Sequence, residues 1–270
     1  MLANLIEMFS YAFFIRAFFA GLAISICAAL LGTNLVLRKQ SMISDGLSHV
    51  AFGTTVIALA LGFAPLEFTI PIVILASYFI LQINQRQKIN ADAAIAILSA
   101  SALALGVIVN SCLSGINIDI NSYLFGSILA ISTHDLILTL IATTLILVLY
   151  FIFYRQIFAI TLDETFARAI GLKTKLYNAL LAALCSVIIV LGMRMLGALL
   201  ISSLLIFPCL SAIRLTHSFR ATITVAVILS VVSFIFGIFA SYFYNLPTGA
   251  TIVLANLACF LLCVLYNKFR

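Results

Sequence analysis

The chain has 270 residues and a formal net charge of +6; 65% of its residues are hydrophobic, 8% are charged, and its mean hydropathy is +1.29. Soluble domains carry about a quarter charged residues, so there is too little polar side chain here to cover a water-facing surface. That excludes a soluble enzyme, a nucleic-acid-binding domain, a disordered chain and a secreted disulfide scaffold, and it leaves a chain that crosses a bilayer many times, all-α by the length of its apolar segments.

A spanning helix needs about 20 apolar residues. The segments that qualify are 11–37, 42–62, 66–83, 91–113, 135–154, 175–192, 195–214, 221–243 and 248–267. They form one transmembrane domain over 1–270, since the connectors leave no room for a soluble one. Eight spans stay open if 195–214 merges with a neighbour or re-enters. The ten-residue alternation of a membrane barrel is absent. The first segment starts with Glu7 and no positive charge and stays apolar for too long to be a cleavable leader, so it reads as a span.

Arg38 and Lys39 follow the first span. The next opens with Ser-Met-Ile-Ser-Asp-Gly-Leu-Ser-His over 41–49, and this is the most informative stretch in the chain. Ser41, Ser44, Asp45, Ser48 and His49 recur at three and four residues and form one polar stripe on a helix. Met42, Ile43, Leu47 and Val50 form the other face. Counted along a continuous helix from Arg38, Asp45 lies roughly 10 Å and His49 roughly 16 Å inward, near the bilayer midplane. A carboxylate there costs about 2.5–3.5 kcal/mol, so it must face protein or a water-filled path. A carboxylate and an imidazole at i, i+4 share a divalent cation if other groups complete the shell. A two-fold dimer with this helix at its axis would supply two of each. The structural alternative is an Asp–His hydrogen bond that only ties helices together.

Arg86 and Lys88 follow the third span, and Asp92 opens the fourth, where a negative charge favours the helix N-terminus. The connector at 114–134 is too long for a tight turn and reads as a re-entrant or surface-lying segment. It ends at Ser132, placed to cap a helix with Asp135 three residues on. His134 beside Asp135 reads as a solvated helix start. The connector at 155–175 carries Arg155, Arg168, Lys173 and Lys175, with Asp163 and Glu164 ahead of Gly171. Acidic residues at the start and a glycine at the end predict a short amphipathic helix, a docking knob for a soluble partner. Pro208 interrupts the seventh span after Ser202 and Ser203, and reads as a kink or pathway lining. Arg214, His217 and Arg220 follow in a basic loop, and Lys268 and Arg270 close the chain.

Twelve of the fourteen Lys and Arg fall on one side if the N-terminus is outside and the C-terminus inside; only Arg16 and Arg194 do not. Six cysteines, with no Cys-x-x-Cys pair, read as small membrane hydrophobes. No Gly-x4-Gly-Lys-Ser/Thr loop is present, so this chain does not use ATP by that route. His-Glu-x-x-His and Gly-x-Ser-x-Gly are also missing, which leaves enzyme readings without support.

The chain resembles the permease subunits of bacterial ABC importers for zinc and manganese. The resemblance rests on Leu35-Val-Leu-Arg38 to Ser41, Asp45-Gly-Leu-Ser-His49, Tyr123-Leu-Phe-Gly-Ser127 with Leu129-Ala130, Asp163 with Ala167 and Gly171, Gly197 through Pro208, and Pro247-Thr-Gly249. It implies a homodimer in the bacterial inner membrane, served by two cytoplasmic ATPase subunits and an extracytoplasmic metal-binding protein. It also implies a fold like a reduced cobalamin or siderophore permease. Asp45 and His49 fall on the family's pathway helix, with Ser48 between them. The coupling helix to the ATPase corresponds to about 161–172, with Asp163, Ala167 and Gly171 as its motif. After Pro208 the family continues Ala-Ala-Thr-Ala, whereas here the residues are Cys209-Leu-Ser-Ala212. The stretches around 117–127 and 197–208 look most like the zinc branch. The expectation is therefore a zinc permease with no permanent cofactor. Manganese or iron(II) are the alternatives within the family, and a proton-coupled carrier or a pure scaffold are the alternatives outside it.

Overall fold

The computed structural model describes residues 8–85, 91–112, 126 and 131–269. Arg86, Lys88, Arg270 and nearly all of the 114–130 connector, including Tyr123, Ser127 and Leu129, lie outside the described residues. Within them the regular elements are helices, with no strand. The long ones are α1 (Ala12–Leu37), α2 (Met42–Ala60), α3 (Pro65–Gln85), α4 (Ala91–Cys112), α5 (Thr133–Ile152), α8 (Thr174–Leu196), α9 (Ala198–Leu215), α10 (Phe219–Tyr244) and α11 (Thr248–Phe269). Two short ones, α6 (Tyr154–Leu162) and α7 (Glu164–Ala169), stand between α5 and α8.

Every expected span is therefore a helix, and among the described residues nine helices are long and apolar enough to cross a bilayer. The alternative of eight is not adopted. Gly197, at φ 95° and ψ 154°, is at once the C-cap of α8 and the N-cap of α9. Only glycine adopts that conformation without strain, so one residue separates two helices that pack against each other.

The helix ends follow from local chemistry. α1 stops in a Schellman turn: Lys39 adopts a left-handed φ of 57°, and the Gln40 amide donates to the Leu35 carbonyl at 2.8 Å. α5 starts with the expected capping box, in which the Ser132 hydroxyl accepts from the Asp135 amide while the Asp135 carboxylate takes the Ser132 amide. The 155–175 connector holds the expected short helix as α7 and, ahead of it, the unforeseen α6. The two are separate, because Asp163 turns extended (φ −150°, ψ 103°) and its carboxylate accepts the amides of Thr165 and Phe166 at 2.8 and 2.9 Å. That caps the expected short helix at its acidic start.

α1, α2, α8 and α9 form the interior, with Ile24, Leu31, Leu47, Ile188, Ile189 and Leu200 fully buried. α4, α5 and α11 face outward with rows such as Ile97, Leu105 and Ile108 or Leu254, Leu261 and Leu265 exposed, a surface suited to hydrocarbon. Helices in lipid associate by close approach at small residues. α2 meets α4 in this way: a Cβ on Gly53 would collide with the Ala102 carbonyl, and one on Gly106 would sit 3.0 Å from the Gly53 Cα. Elsewhere in the interior, α1 brings Gly32 against the Leu205 backbone of α9.

The described cations gather at one end of the bundle. Arg38 and Lys39 end α1, Arg155, Arg168, Lys173 and Lys175 surround α6 and α7, and Arg214, Arg220 and Lys268 mark the later helices. Arg16 and Arg194 lie toward the other end.

Candidate functional site

The polar stripe of α2 is partly a solvated face and partly an internal one. Ser44 and Ser48 are fully buried. Their hydroxyls donate to the Ser41 and Asp45 carbonyls at 2.8 and 2.7 Å, so neither reaches outward. Ile43, Leu47 and Val50 are buried as expected, but Met42 is exposed. Asp45 and His49 are the two members that project. The Asp45 side chain is 45% exposed and that of His49 is 22% exposed. His49 Nε2 lies 3.9 Å from Asp45 Oδ2. That exceeds hydrogen-bond reach, so the pair is not the hydrogen-bonded helix tie considered above. His49 Nδ1 is buried with no hydrogen-bond partner.

Two ligands at about 2.1 Å from a tetrahedral zinc sit about 3.4 Å apart, so a modest side-chain rotation would bring Asp45 and His49 onto one ion. Among the described residues no third His, Cys, Asp or Glu joins them. The pair alone does not make a metal site within the described residues of one chain.

The expected depth is corrected. Residues 38–41 form a turn, not helix, so Asp45 lies in the first turn of α2 and His49 in the second. Counted from the start of α2, they are roughly 5 and 10 Å along the axis, nearer the basic end than a continuous helix would place them.

Asp163, Ala167 and Gly171 shape the short helix. Asp163 caps it, Ala167 is fully buried beneath it, and Gly171 ends it at φ 85°, where the Leu172 amide donates to the Ala167 carbonyl at 3.1 Å. The outward knob consists of Leu162, Phe166 and Ile170, all more than half exposed at four-residue spacing. The sequence signal for it is the large apolar residues at 162, 166 and 170, flanking acidic and basic ones.

Sequence reasoning also missed what holds this helix. The Arg38 side chain is only 9% exposed. Its Nη2 donates to Glu164 Oε2 and its Nη1 to Asn178 Oδ1, each at 2.8 Å. Burial pushes the guanidinium below its usual pKa, and the Glu164 carboxylate pulls it back up. One turn earlier, Asn34 donates to the Tyr150 hydroxyl at 3.1 Å and accepts from the Thr161 hydroxyl at 3.0 Å.

Ser202 and Pro208 lie on α9. Pro208 is buried inside the helix, which continues through it. Ser202 borders an apolar groove of about 530 Å³ between α9 and α11, with Ser203, Phe207, Val253 and Leu254 also on its wall. The Ser202 hydroxyl has no hydrogen-bond partner. At the opposite end, Asp135 is not the solvated start expected. It is buried, and Arg194 Nη2 lies 3.3 Å from its Oδ1.

The profile described as the ABC 3 transport family matches residues 10–267. The manganese transport system membrane protein MntC of Halalkalibacterium halodurans is 29% identical over 261 residues, covering 97% of this chain and 89% of that protein. The high-affinity zinc uptake system membrane protein ZnuB of Haemophilus influenzae is 29% identical over 246 residues, covering 91% of this chain and 94% of its own length. Among solved structures, PsaBC from Streptococcus pneumoniae in complex with Fab superposes with a TM-score of 0.88 at 30% identity, covering 97% of this chain and 95% of that chain.

Proposed function

The chain belongs to the ABC 3 transport family as a permease of a metal-ion ABC importer, and from that premise we propose that it conducts zinc across the bacterial inner membrane as a homodimer. The observation that carries the reading is the Asp45–His49 pair. A carboxylate 45% exposed in the first turn of a membrane helix needs water or protein beside it in place of lipid. A second copy of the chain across a two-fold axis covers it and completes the shell with a second carboxylate and a second imidazole. Four ligands of mixed nitrogen and oxygen suit tetrahedral zinc, whereas manganese prefers more oxygen ligands.

In the proposed cycle, a binding protein delivers the ion at the end carrying Asp135 and Arg194. The ion passes the paired Asp45 and His49 and leaves at the basic end, which faces the cytoplasm. ATP hydrolysis takes place in separate subunits docked on the Phe166 knob. Nothing is held permanently, because a transit site must also release its ion.

Manganese is the second reading, favoured by the name of the Halalkalibacterium relative. Radioactive zinc uptake separates the two, in cells lacking their own importer and expressing this chain with its ATPase and binding protein. Zinc uptake that needs both Asp45 and His49 and resists excess manganese supports zinc. Manganese uptake without zinc uptake moves the cargo. Zinc uptake that survives Asp45→Ala and His49→Ala at matched membrane levels removes the site. Transport that continues without the ATPase and collapses with an uncoupler would leave a proton-coupled carrier.

A further inference from the structure

We propose that Arg38 is a positioning residue that transmits movement of α7 to the site helix α2, through its paired bonds to Glu164 and Asn178. The proposal rests on the reading of α7 as the ATPase dock and of α2 as the pathway helix.

Arg38 is the C-cap of α1 and stands four residues before the start of α2. It occupies the joint between those two helices, seven residues from Asp45. A guanidinium presents a rigid planar fork, so one side chain can hold two acceptors in fixed directions. Here the fork spans two elements, the first residue of α7 and the first turns of α8. The charge is almost wholly buried, so letting go of either partner is strongly disfavoured. Asn34 adds a second grip on the same end of α1, taking Tyr150 from α5 and Thr161 from α6. The exposed Glu164–Arg168 contact, at 3.3 Å within α7, adds little to that hold.

The joint itself is stiff. Gln40 and Lys39 are bonded back into the last turn of α1. Arg38, Gln40 and Ile43 line one small internal cavity with Asn178, Leu181 and Cys185, so the start of α2 rests on α8 beside the fork. A shift of α7 therefore carries Arg38 with it, and the α1–α2 joint follows. The same end of α1 abuts α9, where Gly32 meets the Leu205 backbone three residues before Pro208. The path from dock to site is made of buried bonds and backbone contact, not of a mobile loop.

The test uses the whole importer in proteoliposomes, measuring ATP hydrolysis and radioactive zinc transport on one sample, with manganese in parallel. Arg38→Lys keeps the charge but loses the fork, and Glu164→Gln keeps the shape but loses the charge. Each is expected to capture ATPase as wild type does and to hydrolyse ATP within about twofold of it. Ions moved per ATP should fall at least tenfold. Thr161→Val removes one neutral bond from the same grip and should lower the ratio by two- to fivefold; it decides the matter if the charged variants do not fold. An unchanged ratio overturns the proposal. So does a ratio that falls only in step with lost ATPase capture or lost thermal stability, since that is what a merely structural role predicts. The docking reading fails separately, if Phe166→Asp captures ATPase as wild type does.

Discussion

Arg194 Nη2 lies 3.3 Å from Asp135 Oδ1 and joins the end of α8 to the start of α5. The two side chains differ in burial, 36% exposed for Arg194 and 12% for Asp135. Asp135 also closes the capping box with Ser132. The two halves of the pair should therefore respond unequally. Arg194→Ala removes a half-solvated partner and should cost about 0.5–1 kcal/mol. Asp135→Ala removes the ion-pair partner and the carboxylate half of the capping box together, leaving the Ser132 cap, and should cost about 1–2 kcal/mol. Thermal unfolding of purified permease checks the order: a larger loss from Arg194→Ala would mean the carboxylate's bonds to Ser132 contribute nothing.

Asn34 bridges the Tyr150 and Thr161 hydroxyls inside the protein. Asn34→Ala leaves both without this partner and should destabilise by about 1–3 kcal/mol. Tyr150→Phe removes only one side of the bridge and should cost about 1 kcal/mol. A double variant whose loss equals the sum of the two would show that the groups do not act together, contrary to the geometry.

Spans, caps and the Asp45–His49 pair were legible because each is written locally. Twenty apolar residues announce a helix, Ser132 with Asp135 announces a cap, and i, i+4 spacing puts two side chains on one face. What escaped was long-range. Arg38 looked like any basic residue at a helix end, and its burial depends on α7 and α8 folding back over it, more than a hundred residues on. The depth of Asp45 escaped because Lys39 takes a left-handed conformation without being glycine, which no composition signal marks. The short helix expected at 161–172 was legible too, since Asp163 opens it and Gly171 closes it; the preceding helix α6 was not, because no cap or breaker marks its start after α5.

Ser202 gives a prediction with a sign. Its hydroxyl is buried without a partner, beside an apolar groove. Removing an unsatisfied polar group should be neutral or stabilising, by up to about 1 kcal/mol. Ser202→Ala should therefore raise or hold the unfolding temperature. If uptake falls tenfold while stability holds, the hydroxyl serves the pathway, as its position before Pro208 suggests. Unchanged uptake makes it a packing residue.

Gly53 tests whether the site depends on the α2–α4 crossing. A Cβ there meets the Ala102 carbonyl, which is backbone and cannot rotate away. Gly53→Ala must push the helices apart, and overpacking of this kind costs about 1–3 kcal/mol. The displacement falls on the helix that carries Asp45 and His49, one turn from the histidine. Zinc uptake should therefore drop further than the loss of folded protein explains, by about tenfold at matched membrane levels, as expected when a ligand moves by an ångström. Gly192→Ala is the comparison. The three atoms nearest its Cβ all belong to the Ile201 side chain, on a different pair of helices, at α8 and α9. A side chain can turn aside, and neither helix bears Asp45 or His49. Uptake that falls equally in the two variants, in proportion to stability, would show that the spacing of α2 from α4 does not set the geometry of the site.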